Sequence, residues 1–307
     1  MKKPVYIVDA FSDRGLAGNA AAVLLDAADL ESSQLQQLAA ELRQTDLAVA
    51  LPAREPQSAL HLRWFSPTTE IGFCGHATLA TLHVLALEAQ RIRVPEVGVT
   101  KLAFTCKAGR IRAELSREQG RLRASFETPR CSFQGTPVSV ELLNTLGLVP
   151  GALDPNLVPQ KNARAGTDAF NLFIALRDRE ALQRARPDFQ ALAQLGRQDK
   201  LGAICLYATD PAKGVDAAVR YFAPHYGVDE DPVTGSACAA LGVLLQTKLP
   251  KEMPRRLVFT QGAEVGRPGR VVVEVRPEAE PGEIRGWVGG DATVVLRGEL
   301  DVPPVRR

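Results

Sequence analysis

Few residues in this 307-residue chain could hold a metal or a disulfide. Its four histidines are scattered, and its five cysteines (Cys74, Cys106, Cys131, Cys205 and Cys238) form no CxxC pair and leave an odd count. Both facts argue against a zinc site or a disulfide framework and for reduced, mostly buried thiols. No run reaches the roughly 18 apolar residues of a membrane helix. Pro4 to Val8 is too short for a signal core and is closed by Asp9. Charge of one sign is also lacking: 37 Lys and Arg stand against 35 Asp and Glu, a net +2 with no basic block, which argues against nucleic acid as the main partner. Arg306 and Arg307 read as a solvated terminus. These absences predict a cytoplasmic protein without membrane contact.

What is present is the balance of a globular protein, 45% apolar and 23% charged, long enough for two domains with a core each. Val5 to Val8 and Ala21 to Leu25 read as strands. Ser32 and Ser33 are placed to cap a helix carrying Leu35, Leu38, Ala39 and Leu42 at helical spacing. His61 to Phe65 reads as a strand, followed by a helix from Gly75 to about Ala89. Arg110 to Leu115 and Leu122 to Phe126 alternate as two strands around a turn, and the Pro-rich stretches 130–137 and 277–281 read as loops.

The chain also repeats itself. Leu47-Ala48-Val49-Ala50-Leu51 is echoed by Gly202-Ala203-Ile204-Cys205-Leu206. Arg63-Trp64-Phe65-Ser66-Pro67 is echoed by Arg220-Tyr221-Phe222-Ala223-Pro224, and Gly75-His76-Ala77 by Gly235-Ser236-Ala237. Three matches in order, offset by 155 to 160 positions, indicate a duplicated unit. The predicted halves are residues 1–118, with a C-terminal strand from 295–307 as a possible addition, and residues 119–294.

Both repeated helices are apolar on most positions, the pattern of buried helices. Their starts offer backbone N–H groups and partial positive charge suited to a carboxylate, and glycine there permits close approach. His76 sits in the first turn of one. Asp231, which an ordinary reading makes a helix cap, precedes the other. His83 reads as a core histidine, and His61 and His225 have no motif around them.

These residues resemble a known family. Asp9-Ala10-Phe11-Ser12-Asp13-Arg14 with Gly18-Asn19, Cys74-Gly75-His76-Ala77-Thr78, Asp231-Pro232-Val233-Thr234-Gly235-Ser236-Ala237, Gln261-Gly262 and Val288-Gly289-Gly290 are similar to the motifs of the PhzF-like isomerases of phenazine biosynthesis. The resemblance implies an α+β, diaminopimelate-epimerase-like fold: two pseudo-symmetric halves, each a curved, mostly antiparallel sheet around a central helix. It implies an active site between the halves, a homodimer, and proton transfer on a small carboxylic acid without metal or organic cofactor. Carried over residue by residue, it makes Asp46, His76 and Asp231 catalytic, and assigns Asn19, Gly75, Gly235 and Ser236 to the substrate. The family's glutamate is replaced here by Asp46, within Thr45-Asp46-Leu47-Ala48-Val49, and a proline by Ala20.

Other readings remain open on the same residues. A racemase with two opposed thiols has a candidate in Cys74 and none facing it, since Cys238 lies one turn into the second helix. Epimerisation and elimination fit the same fold, and a non-catalytic scaffold binding a small acid or a protein is kept open by the Asp-for-Glu replacement.

Overall fold

The computed structural model describes residues 1–163, 170–209, 214–280 and 282–303. Arg306, Arg307 and Pro281 lie outside them. The chain divides into two compact units, one of residues 1–128 together with the chain from Val288 onward, the other of Pro129–Trp287. The expected seam after residue 118 would cut a hairpin. The chain instead keeps that hairpin whole, because Ala113 to Glu118 pair residue by residue with Phe126 to Arg121.

The first unit runs β1 (Lys2–Ala10), β2 (Asn19–Leu24), α1 (Ser32–Leu42), β3 (Asp46–Pro52), β4 (Leu60–Phe65), β5 (Glu70–Ile71), α2 (Gly75–His83), β6 (Val99–Cys106), β7 (Gly109–Glu118) and β8 (Arg121–Glu127). The second runs β9 (Phe133–Gly135), α3 (Val140–Thr145), β10 (Gln160–Ala163), β11 (Phe170–Ala175), α4 (Arg179–Arg184), α5 (Phe189–Asp199), β12 (Leu201–Thr209), β13 (Ala217–Ala223), β14 (Val228–Asp231), α6 (Gly235–Lys248), β15 (Arg255–Gln261) and β16 (Gly269–Pro277). The chain then returns through β17 (Ile284–Gly290) to β18 (Ala292–Asp301), which pairs with β1.

In the first unit β1 pairs with β18 and β2, and β3 with β4, all antiparallel, as do β6, β7 and β8 in turn. Two neighbours are parallel, β2 with β3 and β4 with β6. A parallel pair needs a crossover, and these are the places where α1 and α2 are inserted. Leu35 and Ala39 of α1 bury against Val5, Ala22, Leu24, Leu47 and Val49. Side chains alternate along a strand, so the intervening positions of β2 and β3 face the other way, and α2 packs against β1, β2, β3, β8 and β18. All nine residues of α2 are buried. A helix covered on every side can carry an apolar surface all round.

The second unit repeats the scheme with more cover. Here β11 and β12 are parallel across α4 and α5, and β13 and β15 are parallel across α6. Antiparallel pairs join β10 to β9 and β11, β12 to β13, and β15 to β16. Leu143 and Leu146 from α3 and its end, Ala181 and Leu182 from α4, and Leu192 from α5 pack on Leu172, Ile174, Ile204, Leu206 and Phe222. Helix α6 packs on β15 and β16.

The duplication extends to side-chain chemistry. Arg63 forms a two-pronged ion pair with Glu70 (2.8 and 2.9 Å) and stacks over Phe65 at 4.8 Å. Arg220 does the same with Glu230 (2.9 and 2.8 Å) and Phe222 at 5.0 Å. Each helix before the repeated strand ends on a left-handed residue, Arg43 and Lys200.

Three local expectations are corrected. The N-cap of α1 is Glu31, not Ser32 or Ser33, and Gln34 Oε1 accepts the Glu31 amide at 3.0 Å. The reach of a glutamate and glutamine pair lets the helix begin one residue earlier. The stretch 130–137 contains β9, because β10 offers it a partner. The helix from Gly75 is α-helical only to His83 and continues as a π-helical turn, Val84–Glu88.

Candidate active site

In the first unit Asp46 opens β3, three residues after the left-handed Arg43, with Ala21 of β2 opposite. Just before it, Thr45 Oγ1 donates to Asn19 Oδ1 at 3.4 Å, and Asn19 is fully buried. Cys74 is the extended N-cap residue of α2 and supplies no side-chain cap. Its thiol instead donates to Asp46 Oδ2 at 3.2 Å. His76 Nε2 lies 3.5 Å from the same oxygen, and His76 Nδ1 3.5 Å from the sulfur. Asp46, Cys74 and His76 are 7%, 5% and 6% exposed, so the cluster sits at the rim of burial. A buried carboxylate needs partners, and the thiol and imidazole supply them. Burial holds the His76 imidazolium down, to a pKa of about 4, despite the carboxylate beside it. The ring is therefore neutral at neutral pH, with one nitrogen free to accept and one to donate.

This cluster can exchange a proton. A carboxylate, a thiol and a neutral imidazole within hydrogen-bonding reach hold two exchangeable protons among three groups, and a third can be taken up by the carboxylate. The structure places Asp46 and His76 3.5 Å apart and brings beside them Cys74, which the sequence offered only as half of a thiol pair. Its place immediately before Gly75 was the available signal.

In the second unit Asp231 ends β14 and is 9% exposed. The N-cap of α6 is Thr234 rather than Asp231, and it supplies no side-chain cap. Thr234 Oγ1 donates to Asp231 Oδ2. Gln261 ties the segment together: its Nε2 donates to Asp231 O at 2.7 Å and to Thr234 Oγ1 at 3.1 Å, while its Oε1 accepts the Thr234 amide at 3.0 Å. Gly235 is buried and Ser236 exposed, at the first turn of α6. Cys238 is fully buried beside Gln261, and burial pushes its thiol far up, so it is no base. Gln261 and Thr234 were not singled out as polar groups by sequence, since nothing local shows that β15 returns beside β14. His83 is a core residue as expected, with Nδ1 3.0 Å from Leu79 O and its pKa lowered by burial.

Among the described residues no helix is long and apolar enough to cross a membrane. The chain is 36% identical to an isomerase of Deinococcus radiodurans described as uncharacterized, over 95% of this chain and 92% of that one. It is 30% identical to the trans-2,3-dihydro-3-hydroxyanthranilate isomerase of Pseudomonas chlororaphis, over 96% and 98% of the two chains. Its fold matches the crystal structure of a PhzF-family phenazine biosynthesis protein of Bacillus anthracis, with a TM-score of 0.86, 24% identity and coverage of 98% and 100%. With the model of the phenazine biosynthesis-like proteins matching residues 8–298, the chain belongs to that family, PhzC-PhzF, and is an enzyme of its isomerase type.

Proposed function

We propose that this protein moves a proton on a small carboxylic acid, with Asp46 as the acid/base and His76 and Asp231 assisting. The observation that supports this most is the Asp46 carboxylate, nearly buried and met by the Cys74 thiol and His76 ring. A group that takes a proton from carbon and returns it elsewhere must hold it meanwhile, away from bulk water. Following the family pattern, the substrate carboxylate is assigned to the helix starts, Gly75 in the first unit and Gly235 and Ser236 in the second, with Asn19. Helix N-termini suit an anion.

The relative named for trans-2,3-dihydro-3-hydroxyanthranilate makes that acid the first substrate to assay. Asp is one methylene shorter than Glu, so a substrate must sit closer or differ in shape. The test is turnover of the assayed acid by Asp46→Asn, with a fall of roughly 10²–10⁴ expected while ligand binding survives. Wild-type turnover in that variant would pass the role to His76 or Asp231.

The two-thiol racemase reading has no second thiol at the start of α6, where Cys238 is fully buried one turn into the helix. It retains one distinguishing test. Cys74→Ala keeps proton transfer if Asp46 is the base and abolishes it if the thiol is.

A further inference from the structure

We propose that Gln261 and Thr234 are positioning residues that fix Asp231 as a hydrogen-bond acceptor, an ionised carboxylate that assists the reaction without donating a proton to it. The direction of each hydrogen bond is set by backbone groups. The Thr234 amide can only donate, and it meets Gln261 Oε1 at 3.0 Å. The Asp231 carbonyl can only accept, and it meets Gln261 Nε2 at 2.7 Å. The side-chain amide of Gln261 therefore has one orientation, fixed from both ends. Its second Nε2 hydrogen reaches Thr234 Oγ1 at 3.1 Å, so that oxygen accepts. The Thr234 hydroxyl hydrogen is then directed at Asp231 Oδ2, which accepts it.

A chain of donors that ends on a carboxylate oxygen favours the charged form of that carboxyl. The chain is held rigidly. Gln261 is 4% exposed at the end of β15, and a Cβ on the following Gly262 would lie 2.5 Å from Pro232 O. The N-cap residue of α6 offers no side-chain cap, so Gln261 also ties down the start of that helix. The titratable side chains facing Asp231 are Tyr221, opposite it on β13, and Cys238 of α6. Burial and the Asp231 charge both push the Cys238 thiol up. On β14 itself Glu230 is engaged by Arg220 and Asp229 is exposed, and His225 lies beyond the far end of the strand. With Oδ2 held as an acceptor, Asp231 receives a hydrogen bond or a proton and does not supply one. Its part in proton transfer rests on the function proposed above, whereas the direction of the chain does not.

The test is carbon-13 NMR titration of the aspartate carboxyls, with the Asp231 signal assigned by its loss in Asp231→Asn. In wild type that carboxyl should stay ionised from about pH 7 to about pH 5 despite its burial. Thr234→Val should raise its pKa by about 1, and Thr234→Ser, which keeps the hydroxyl, should restore it. Gln261→Met should raise it in the wild-type background and leave it unchanged in Thr234→Val, because both residues act through one chain. A wild-type Asp231 protonated at neutral pH would overturn the assignment, and that result needs no folded Thr234 or Gln261 variant. So would a pKa unmoved in Thr234→Val, or an equal rise from Gln261→Met in both backgrounds. Deuterium exchange into trans-2,3-dihydro-3-hydroxyanthranilate should fall toward about pH 5 more steeply in Thr234→Val than in Thr234→Ser. A carboxyl that moves while exchange keeps its pH profile would leave the chain standing and remove Asp231 from the proposed reaction.

Discussion

At the scale of single residues, the neutral His76 ring carries a consequence for stability. Its pKa in the folded chain is about 4, below the ordinary 6.5, because burial disfavours the cation. Between those values the unfolded chain binds the proton and the folded chain does not, so stability falls as pH drops from 6.5 toward 4. The loss attributable to this ring reaches about 3 kcal/mol at the lower end, at about 1.4 kcal/mol per unit. His83 shifts in the same direction and adds to the slope. Urea unfolding of wild type and His76→Gln across that range should show a shallower decline in the variant; parallel curves would mean that the ring is charged in the folded chain.

Asp46 was legible only through the family motif, since its counterpart in the repeat, at the start of β12, is the apolar Leu201. An acid outside the repeat cannot be found by self-comparison. Cys74 and Gln261 were hidden for a different reason: each acts through a partner distant in sequence, Asp46 for the one and Asp231 for the other.

At the scale of elements, the two Arg–aromatic–Phe motifs were readable as a repeat, but their unequal burial was not. Arg63 and Glu70 are 15% and 32% exposed as side chains, whereas Arg220 and Glu230 are 6% and 8%. Arg220 also donates to Leu182 O and Ala185 O at 3.2 and 2.8 Å, holding the end of α4. Removing one partner of a buried pair strands the other. Arg220→Ala should therefore cost about 3–5 kcal/mol, and Arg63→Ala about 1–2 kcal/mol because water replaces the lost partner. Chemical denaturation of both measures the difference; equal losses would contradict it.

The turn after β15 gives a second element-scale prediction. Gly262 has φ +87, and a Cβ there would lie 2.3 Å from Arg267 O and 2.5 Å from Pro232 O, next to Asp231. Gly266 has φ +72 and open space around it. Gly266→Ala should cost only the left-handed penalty of about 1–2 kcal/mol. Gly262→Ala should cost at least about 1–3 kcal/mol beyond that through overpacking, and should lower activity by displacing the Asp231 segment. Loss of stability without loss of activity would separate that segment from the chemistry. Neither backbone angle nor close approach is visible in the string Gln261-Gly262, which reads only as a turn.

At the scale of the whole molecule, the duplication and the alternation of strands and helices were legible because each half solves the same problem of covering an apolar helix. The helices α3, α4 and α5, which build a separate core on β11, β12 and β13, were not, since their apolar positions only make sense once that sheet face exists. The pairing of β18 with β1 joins residues about 300 apart, and no local pattern reports it. A homodimer is the proposed assembly, carried over from the family; sedimentation at micromolar concentration should show twice the 33.1 kDa chain mass, and a clean monomer would contradict it.

Isotope exchange reads directly whether the Asp46 carboxylate at the start of β3 moves a proton at carbon, as proposed. Wild type and Asp46→Asn are incubated in deuterated water with trans-2,3-dihydro-3-hydroxyanthranilate and with related unsaturated, hydroxylated and amino carboxylic acids. Deuterium should enter a carbon-bound position of at least one acid with wild type, roughly 10²–10⁴ times more slowly with Asp46→Asn, and at close to the wild-type rate with Cys74→Ala. Exchange that is equally fast in wild type and Asp46→Asn, or that is abolished in Cys74→Ala alone, would rule out Asp46 as the acid/base.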